Sequence, residues 1–216
     1  MGILYGHRCV LCGANFSVTT SRTLQLCPDW AAAVRREYRC TEVISIAGAD
    51  GTIAPLYYRG TVRNAMKRFK FSSAAYCADW FAAQMSVALT SQLEDWQPDL
   101  ITYMPIGFLH YRKHGYNQAE LLAKLVAKPL SLPCEATLRK RWFVGKQSAQ
   151  KNYAARQSNA TDAVLTKGSV DLPGKSVVLV DDIITTGATA AAAVKALREM
   201  GASRVYVLAA TFTPRK

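Results

Sequence analysis

The sequence predicts an α/β fold, a mainly parallel sheet with flanking helices, and a small cysteine-rich head at the N-terminal end. Three observations carry this. Val177-Val-Leu-Val180 is a continuous apolar run, the pattern of a strand buried on both faces. From Asp99 onward, strand-like and helix-like segments alternate, as parallel sheets with crossover helices require. Four of the six cysteines, Cys9, Cys12, Cys27 and Cys40, crowd into the first forty residues.

The elements follow in order. Residues 1–45 form the head, with little periodicity, and residues 46–216 form the α/β domain. Val62, Met66 and Phe69 recur at helical spacing, with Arg59, Arg63, Lys67 and Lys70 along another face. A second helix is expected from Ala75 to Leu93. Asp99-Leu-Ile-Thr-Tyr-Met-Pro105 reads as a buried strand ended by proline. Residues 106–117 form a loop, and a helix runs from Ala119 to Leu130. Residues 139–161 hold Arg139, Lys140, Arg141, Lys146, Lys151 and Arg156, with Trp142, Phe143 and Tyr153 interleaved. Without clean periodicity this is expected to be a long, mobile, basic loop. The strand at Val177 follows, then a helix from Ala188 to Met200 closed by Gly201, and a last strand from Val205 to Thr211.

Composition narrows the class of partner. Of 216 residues, 50% are apolar and 19% charged, which excludes a disordered or fibrous chain. Lys and Arg outnumber Asp and Glu by 27 to 15, a formal charge of +12. The excess favours nucleic acid, a phosphorylated metabolite or an anionic membrane surface. No run approaches the ~18 apolar residues of a spanning helix, so no membrane insertion is expected. The first residues lack the features of a signal peptide, and a cytoplasmic location is expected.

The most informative segment is Val177-Val-Leu-Val-Asp-Asp-Ile-Ile-Thr-Thr-Gly-Ala-Thr189. A buried strand delivers Asp181 and Asp182 to its carboxyl end, where open α/β sheets bind ligands. Thr185-Thr-Gly-Ala-Thr189 then opens a helix whose first N–H groups lack intrahelical partners and carry the positive end of the dipole. Gly187 lets the backbone curl around an anion. Thr185, Thr186 and Thr189 add hydroxyls. Acceptors for a diol beside donors for a phosphate suit a ribose 5-phosphate. Helix capping alone accounts for one Asp or Thr, not for this set. A P-loop does not fit: Gly168 lies six residues before Gly174, where that motif needs five.

In a cytosolic chain, crowded cysteines suggest a metal before disulfides. Cys9-Val-Leu-Cys12 has the spacing of a zinc knuckle, and a tetrahedral site needs four N or S ligands. Cys27 is a third and Cys40 a fourth, with His7 a weaker candidate. The alternative is a decayed finger whose cysteines pack as small apolar residues. Cys77 and Cys134 read as core.

The segment from Val177 to Thr189 resembles the phosphoribosyl-diphosphate (PRPP) loop of type I phosphoribosyltransferases. The rest of the chain resembles the ComF family of competence-related proteins and their GntX-like relatives. The matching pieces are the cysteine head, Tyr58-Arg-Gly60 with Val62-Arg63, Phe69-Lys70-Phe71, Met104-Pro-Ile106, Arg112 with Gly115-Tyr-Asn-Gln118, Arg141, Gln147, and Arg156 with Asn159. The family pattern has a second Cys-x-x-Cys, of which Cys27-Pro-Asp-Trp30 has lost the last cysteine.

The resemblance implies that Asp181 and Asp182 bind the ribose hydroxyls, directly or through Mg²⁺-bound water. Thr185, Thr186, Gly187, Ala188 and Thr189 cradle the 5-phosphate. The loop that begins at Pro105-Ile106 and includes Arg112 binds diphosphate, often with a non-proline cis peptide in similar enzymes. The basic segment closes over PRPP and brings Arg141 or Lys146 to the leaving group. Mg²⁺ is the implied cofactor, with Zn²⁺ in the head. Two readings follow. One is an enzyme transferring ribosyl phosphate from PRPP to an acceptor. The other is a non-catalytic PRPP sensor or a single-stranded-DNA-handling protein of natural competence, binding through the basic helix and loop.

Overall fold

The computed structural model describes residues 7–16, 26–71, 76–107, 111–112, 115–140, 164–166 and 170–214. Strand β1 (His7–Arg8) pairs antiparallel with β2 (Asn15–Phe16). Helix α1 (Pro28–Ala33) runs on into a π-helical turn, Val34–Tyr38. There follow β3 (Gly51–Ile53), β4 (Leu56–Tyr57), α2 (Gly60–Phe71), α3 (Cys77–Thr90), α4 (Leu93–Trp96) and β5 (Leu100–Tyr103). Helix α5 (Gln118–Leu130), β6 (Leu138–Lys140), β7 (Val164–Thr166), β8 (Ser176–Ile184), α6 (Ala188–Glu199) and β9 (Arg204–Phe212) complete the order.

The main sheet is parallel throughout, in the order β3-β9-β8-β5, with β4 continuing beside β9. The alternation along β8 and β9 shows why both strands are apolar end to end. Val178 and Val180 with Tyr206, Leu208 and Ala210 pack into one core, against α2, α3 and α5. Val177 and Leu179 with Val205, Val207 and Ala209 pack into a second, against α6. A sheet covered on both faces has no polar side to write into its strands. Helix α3 buries Trp80, Phe81, Met85 and Leu89 into the first core. Helix α6 is alanine-rich on its inner face, where Ala190, Ala193, Val194 and Leu197 meet the second core. It ends as expected at Gly201, whose φ of 95° is a left-handed conformation suited to glycine.

The head packs against the α/β domain. Cys9, Val10 and Leu11 share the first core with Phe69 and Phe81, and Ile44 belongs to the second. Arg68 ties the two regions together, donating from Nη2 to the carbonyls of Val10 and Leu11 at 2.5 and 2.8 Å.

Three expectations need adjusting. The short strands β3 and β4 give no period-2 signal in the sequence, yet both pair with β9. The expected single helix from Ala75 to Leu93 is α3 and the short α4, parted by a turn at Ser91 and Gln92. The basic segment starts in a strand, since Leu138–Lys140 pairs with Val164–Thr166; residues 141–163 lie outside the described ones. Among the described residues no helix is long and apolar enough to cross a membrane.

Candidate functional site

A cavity of about 520 Å³ opens at the carboxyl ends of β5 and β8. Strand β8 continues past Val180 and carries both aspartates into it. The pairing of β8 with β9 runs from Ser176 to Asp181, lapses at Asp182 and resumes at Ile183. The Asp182 carbonyl accepts a hydrogen bond from Thr211 Oγ1 at 3.1 Å. A regular strand sends consecutive side chains to opposite faces. With the ladder interrupted, Asp181 and Asp182 both line the cavity.

The two carboxylates differ in surroundings. Asp181 Oδ1 accepts the Asp182 N–H at 2.8 Å. Burial, and then the neighbouring Asp182 charge, push the Asp181 carboxyl up to about 8. Asp182 is only 9% exposed and is paired: Lys70 Nζ lies 2.8 Å from its Oδ2.

Lys70 also lines this cavity, which its place in the charged stripe does not announce. Its spacing from Arg63 and Lys67 put it in a charged stripe, but in the fold it sits at the end of α2 and lines the cavity. The rest of the stripe divides as well. Arg59 stacks over Tyr57 at 4.7 Å and donates to the Glu37 carbonyl, while Arg63 and Lys67 are exposed. The Gly115-Tyr-Asn-Gln118 motif explains why Lys70 is where it is. Tyr116 Oη donates to the Phe69 carbonyl, and Gln118 Nε2 to the Lys70 carbonyl at 3.3 Å. Between them, Asn117 caps α5 by accepting the Ala119 N–H at 3.0 Å, and its Nδ2 donates to the Met104 carbonyl at 3.0 Å. One tetrapeptide thus anchors the end of α2, the start of α5 and the loop after β5.

Beyond the aspartates, Thr185, Thr186, Gly187 and Thr189 line the cavity, and Ala188 is exposed at the first helical position. Gly187 precedes the helix at φ 80°, where a side chain is strained and a Cβ would also run into the Ile46 side chain. Its carbonyl accepts the first intrahelical bond, from the Ala191 N–H at 2.8 Å. The Ala188 N–H reaches Thr186 Oγ1 at 3.4 Å.

Pro105, Ile106 and Gly107 form another wall, with Lys140 of β6. Arg112 is exposed and is not among the lining residues. Among the described residues every peptide bond is trans. Arg141 and Lys146 lie outside the described residues.

In the head, the sulfurs of Cys9, Cys12 and Cys27 lie within 4.8 Å of one another, and those of Cys12 and Cys27 are 3.8 Å apart. The tight turn between β1 and β2 makes the knuckle: Cys9 N–H bonds to the Ala14 carbonyl, and Gly13 N–H to that of Cys9, both at 2.8 Å. Burial raises the Cys9 thiol, but backbone N–H groups of Cys12, Cys27 and Leu11 outweigh it, and the net shift is downward. Burial pushes Cys27 up to about 11. Three converging thiols suit a thiophilic metal such as Zn²⁺. Cys40 is not in this cluster. Its N–H is bonded to the Pro55 carbonyl at 3.0 Å, and it packs against the second core because the chain has already left the knuckle for the sheet.

Comparison with known proteins finds the following similarities. Residues 117–215 match the family model described as the phosphoribosyl transferase domain. Competence protein F of Haemophilus influenzae is 29% identical over 150 residues, covering 66% of this chain and 64% of that protein. Competence protein ComFC of Bacillus subtilis is 26% identical over 196 residues, covering 91% and 73%. A solved glutamine phosphoribosylpyrophosphate amidotransferase from B. subtilis is 27% identical, with 62% of this chain and 26% of that one covered at a TM-score of 0.42. The chain thus matches the phosphoribosyl transferase domain over residues 117–215, is similar to two competence proteins along most of its length, and carries a cysteine cluster toward its N-terminal end.

Proposed function

We propose that the cavity binds PRPP with Mg²⁺ and that the chain transfers ribosyl phosphate from it to an acceptor. The observation that carries this is the convergence, in one cavity, of two carboxylates and the turn before α6. The backbone N–H groups and hydroxyls of Thr185 to Thr189 suit the 5-phosphate. Asp181 and Asp182 suit the ribose hydroxyls. The donor set is all oxygen and partly acidic, which fits Mg²⁺, an ion that keeps several waters and bridges phosphates. When bound, Mg²⁺ supplies charge neutralisation on the diphosphate. In the transfer, the bond from ribose C1 to the diphosphate oxygen breaks as the acceptor's nucleophilic atom bonds to C1, and the electron pair leaves with diphosphate. The wall at Pro105 to Gly107 is the proposed seat of that leaving group. Arg141 and Lys146 are proposed to close over it, excluding water.

Calorimetry with PRPP and Mg²⁺ tests this. The unaltered chain should bind, and Asp181→Asn with Asp182→Asn should weaken binding about 100-fold or more, the loss expected for two hydrogen-bonding contacts of about 1.4 kcal/mol each. Unchanged affinity in the double variant overturns the assignment. The non-catalytic reading, a PRPP sensor or a single-stranded-DNA-handling protein, draws support from the exposed Arg63 and Lys67 on α2. Release of diphosphate from PRPP in the presence of candidate acceptor bases supports the enzyme. PRPP binding without turnover supports the sensor, and DNA binding that falls steeply with salt supports the DNA reading.

A further inference from the structure

We infer that Lys70 is a substrate-contacting residue, whose ammonium exchanges the Asp182 carboxylate for the diphosphate end of the bound ligand. The inference rests on the reading above, that PRPP occupies this cavity.

Lys70 belongs to α2, outside the 117–215 stretch that matches the phosphoribosyl transferase domain. It nevertheless lines the cavity, 2.8 Å from Asp182, with its side chain 25% exposed and that of Asp182 13% exposed. The ion pair is not needed to seat the helix. Phe69 is fully buried, and the last carbonyls of α2 are already held by Tyr116 and Gln118. A largely buried ion pair is also a poor source of stability, because desolvating two charges offsets their attraction. A cation held there by backbone anchors, facing the cavity, is better explained by what enters the cavity.

Charge complementarity says which end it meets. PRPP carries phosphate at both ends and a diol between. The turn at Thr185 to Thr189 offers anion donors at one side of the aspartates. Pro105 to Gly107 line the same cavity with Lys140, whose side chain lies near Gly107, and the consecutive Asn117 and Gln118 hold the Met104 and Lys70 carbonyls, which brings the end of α2 beside the loop after β5. Lysine is a point charge on a flexible stem, so rotation about its own bonds moves Nζ from Asp182 to an incoming phosphate oxygen. The same movement frees Asp182 for the ribose and its metal. A cation at that wall stabilises the charge that develops on departing diphosphate.

The test compares two partial ligands by calorimetry in Mg²⁺: inorganic diphosphate and ribose 5-phosphate. In Lys70→Gln, affinity for diphosphate and PRPP should fall about tenfold or more, as loss of a charge-assisted contact requires, with ribose 5-phosphate within about twofold of the unaltered chain. Lys70→Arg, which keeps the charge, should recover most of the loss. In the unaltered chain, diphosphate should slow acylation of Lys70, read by mass spectrometry, more than ribose 5-phosphate does. That measurement stands even where Lys70→Gln fails to fold. Equal binding of diphosphate by the parent and Lys70→Gln, equal losses for both partial ligands, or equal protection by both overturns the inference and leaves PRPP binding intact. Failure of the unaltered chain to bind PRPP overturns the parent reading and the inference with it.

Discussion

Asp181 is held in a place that favours its neutral form. Burial and the Asp182 charge raise its folded pKa to about 8, from an ordinary value of 3.8. The sign of the consequence follows from linkage. Between those values the folded chain binds the proton and the unfolded chain does not, so folding is favoured at low pH and that contribution is lost as pH rises. In chelator-treated protein, Asp181→Asn should therefore be nearly as stable as the parent near pH 4. It should gain on the parent steadily up to about pH 8 and level off beyond. Thermal melts across that range check this, and a difference independent of pH contradicts it. Gly187 is the second residue with a local cost. Gly187→Ala places a Cβ at φ 80° against Ile46, and should lower stability by about 1–2 kcal/mol. Melts and PRPP affinity should both register the change.

At the scale of elements, α2 links the two ends of the chain. Arg68 holds the knuckle carbonyls, and two residues later Lys70 faces Asp182. Arg68→Ala leaves two carbonyls of fully buried residues without these donors, and should cost about 2–3 kcal/mol by denaturant melts. The cysteine cluster makes a separate prediction. Protein purified without chelator should carry about one zinc per chain by elemental analysis, as a structural thiolate site does. Cys9→Ser, Cys12→Ser or Cys27→Ser should lower that content, while Cys40→Ser should keep it. Zinc lost on removing Cys40 would place the fourth ligand where the fold does not. A folded chain that ignores added zinc would mean that the cluster is only packing.

For the whole molecule, the parallel sheet is the rigid frame and the cavity lies along its carboxyl edge. The walls come from segments far apart in the chain: Lys70, Met104 to Gly107, Asn117 to Ala119, Lys140, and the stretch from Asp181 to Gly187 with Thr189 and Ala190. Ligand binding should therefore stabilise the whole molecule. PRPP with Mg²⁺ at about 100 times its dissociation constant should add about 2.7 kcal/mol. The accompanying rise in Tm should vanish in the Asp181→Asn, Asp182→Asn double variant. A rise that persists there would mean that PRPP binds elsewhere.

What is local can be read from the chain's own order of residues. Val177 to Val180 reads as a buried strand because both faces of the sheet are covered, and that demand leaves an unbroken apolar run. The turn before α6 reads as an anion site because its glycine, threonines and helix start are consecutive in the chain. The Cys9 and Cys12 pair is legible for the same reason. What depends on contacts between distant segments emerges only on folding. Strands β3 and β4 are too short to signal themselves and exist through their pairing with β9. Cys27 joins Cys9 and Cys12 while Cys40 does not, because the chain's path chooses between cysteines of equal chemistry. Lys70 looks like one more solvated charge along a helix. It becomes part of the cavity only because Tyr116 and Gln118 hold the end of α2 beside Asp182, a pairing across 112 residues that no local pattern encodes.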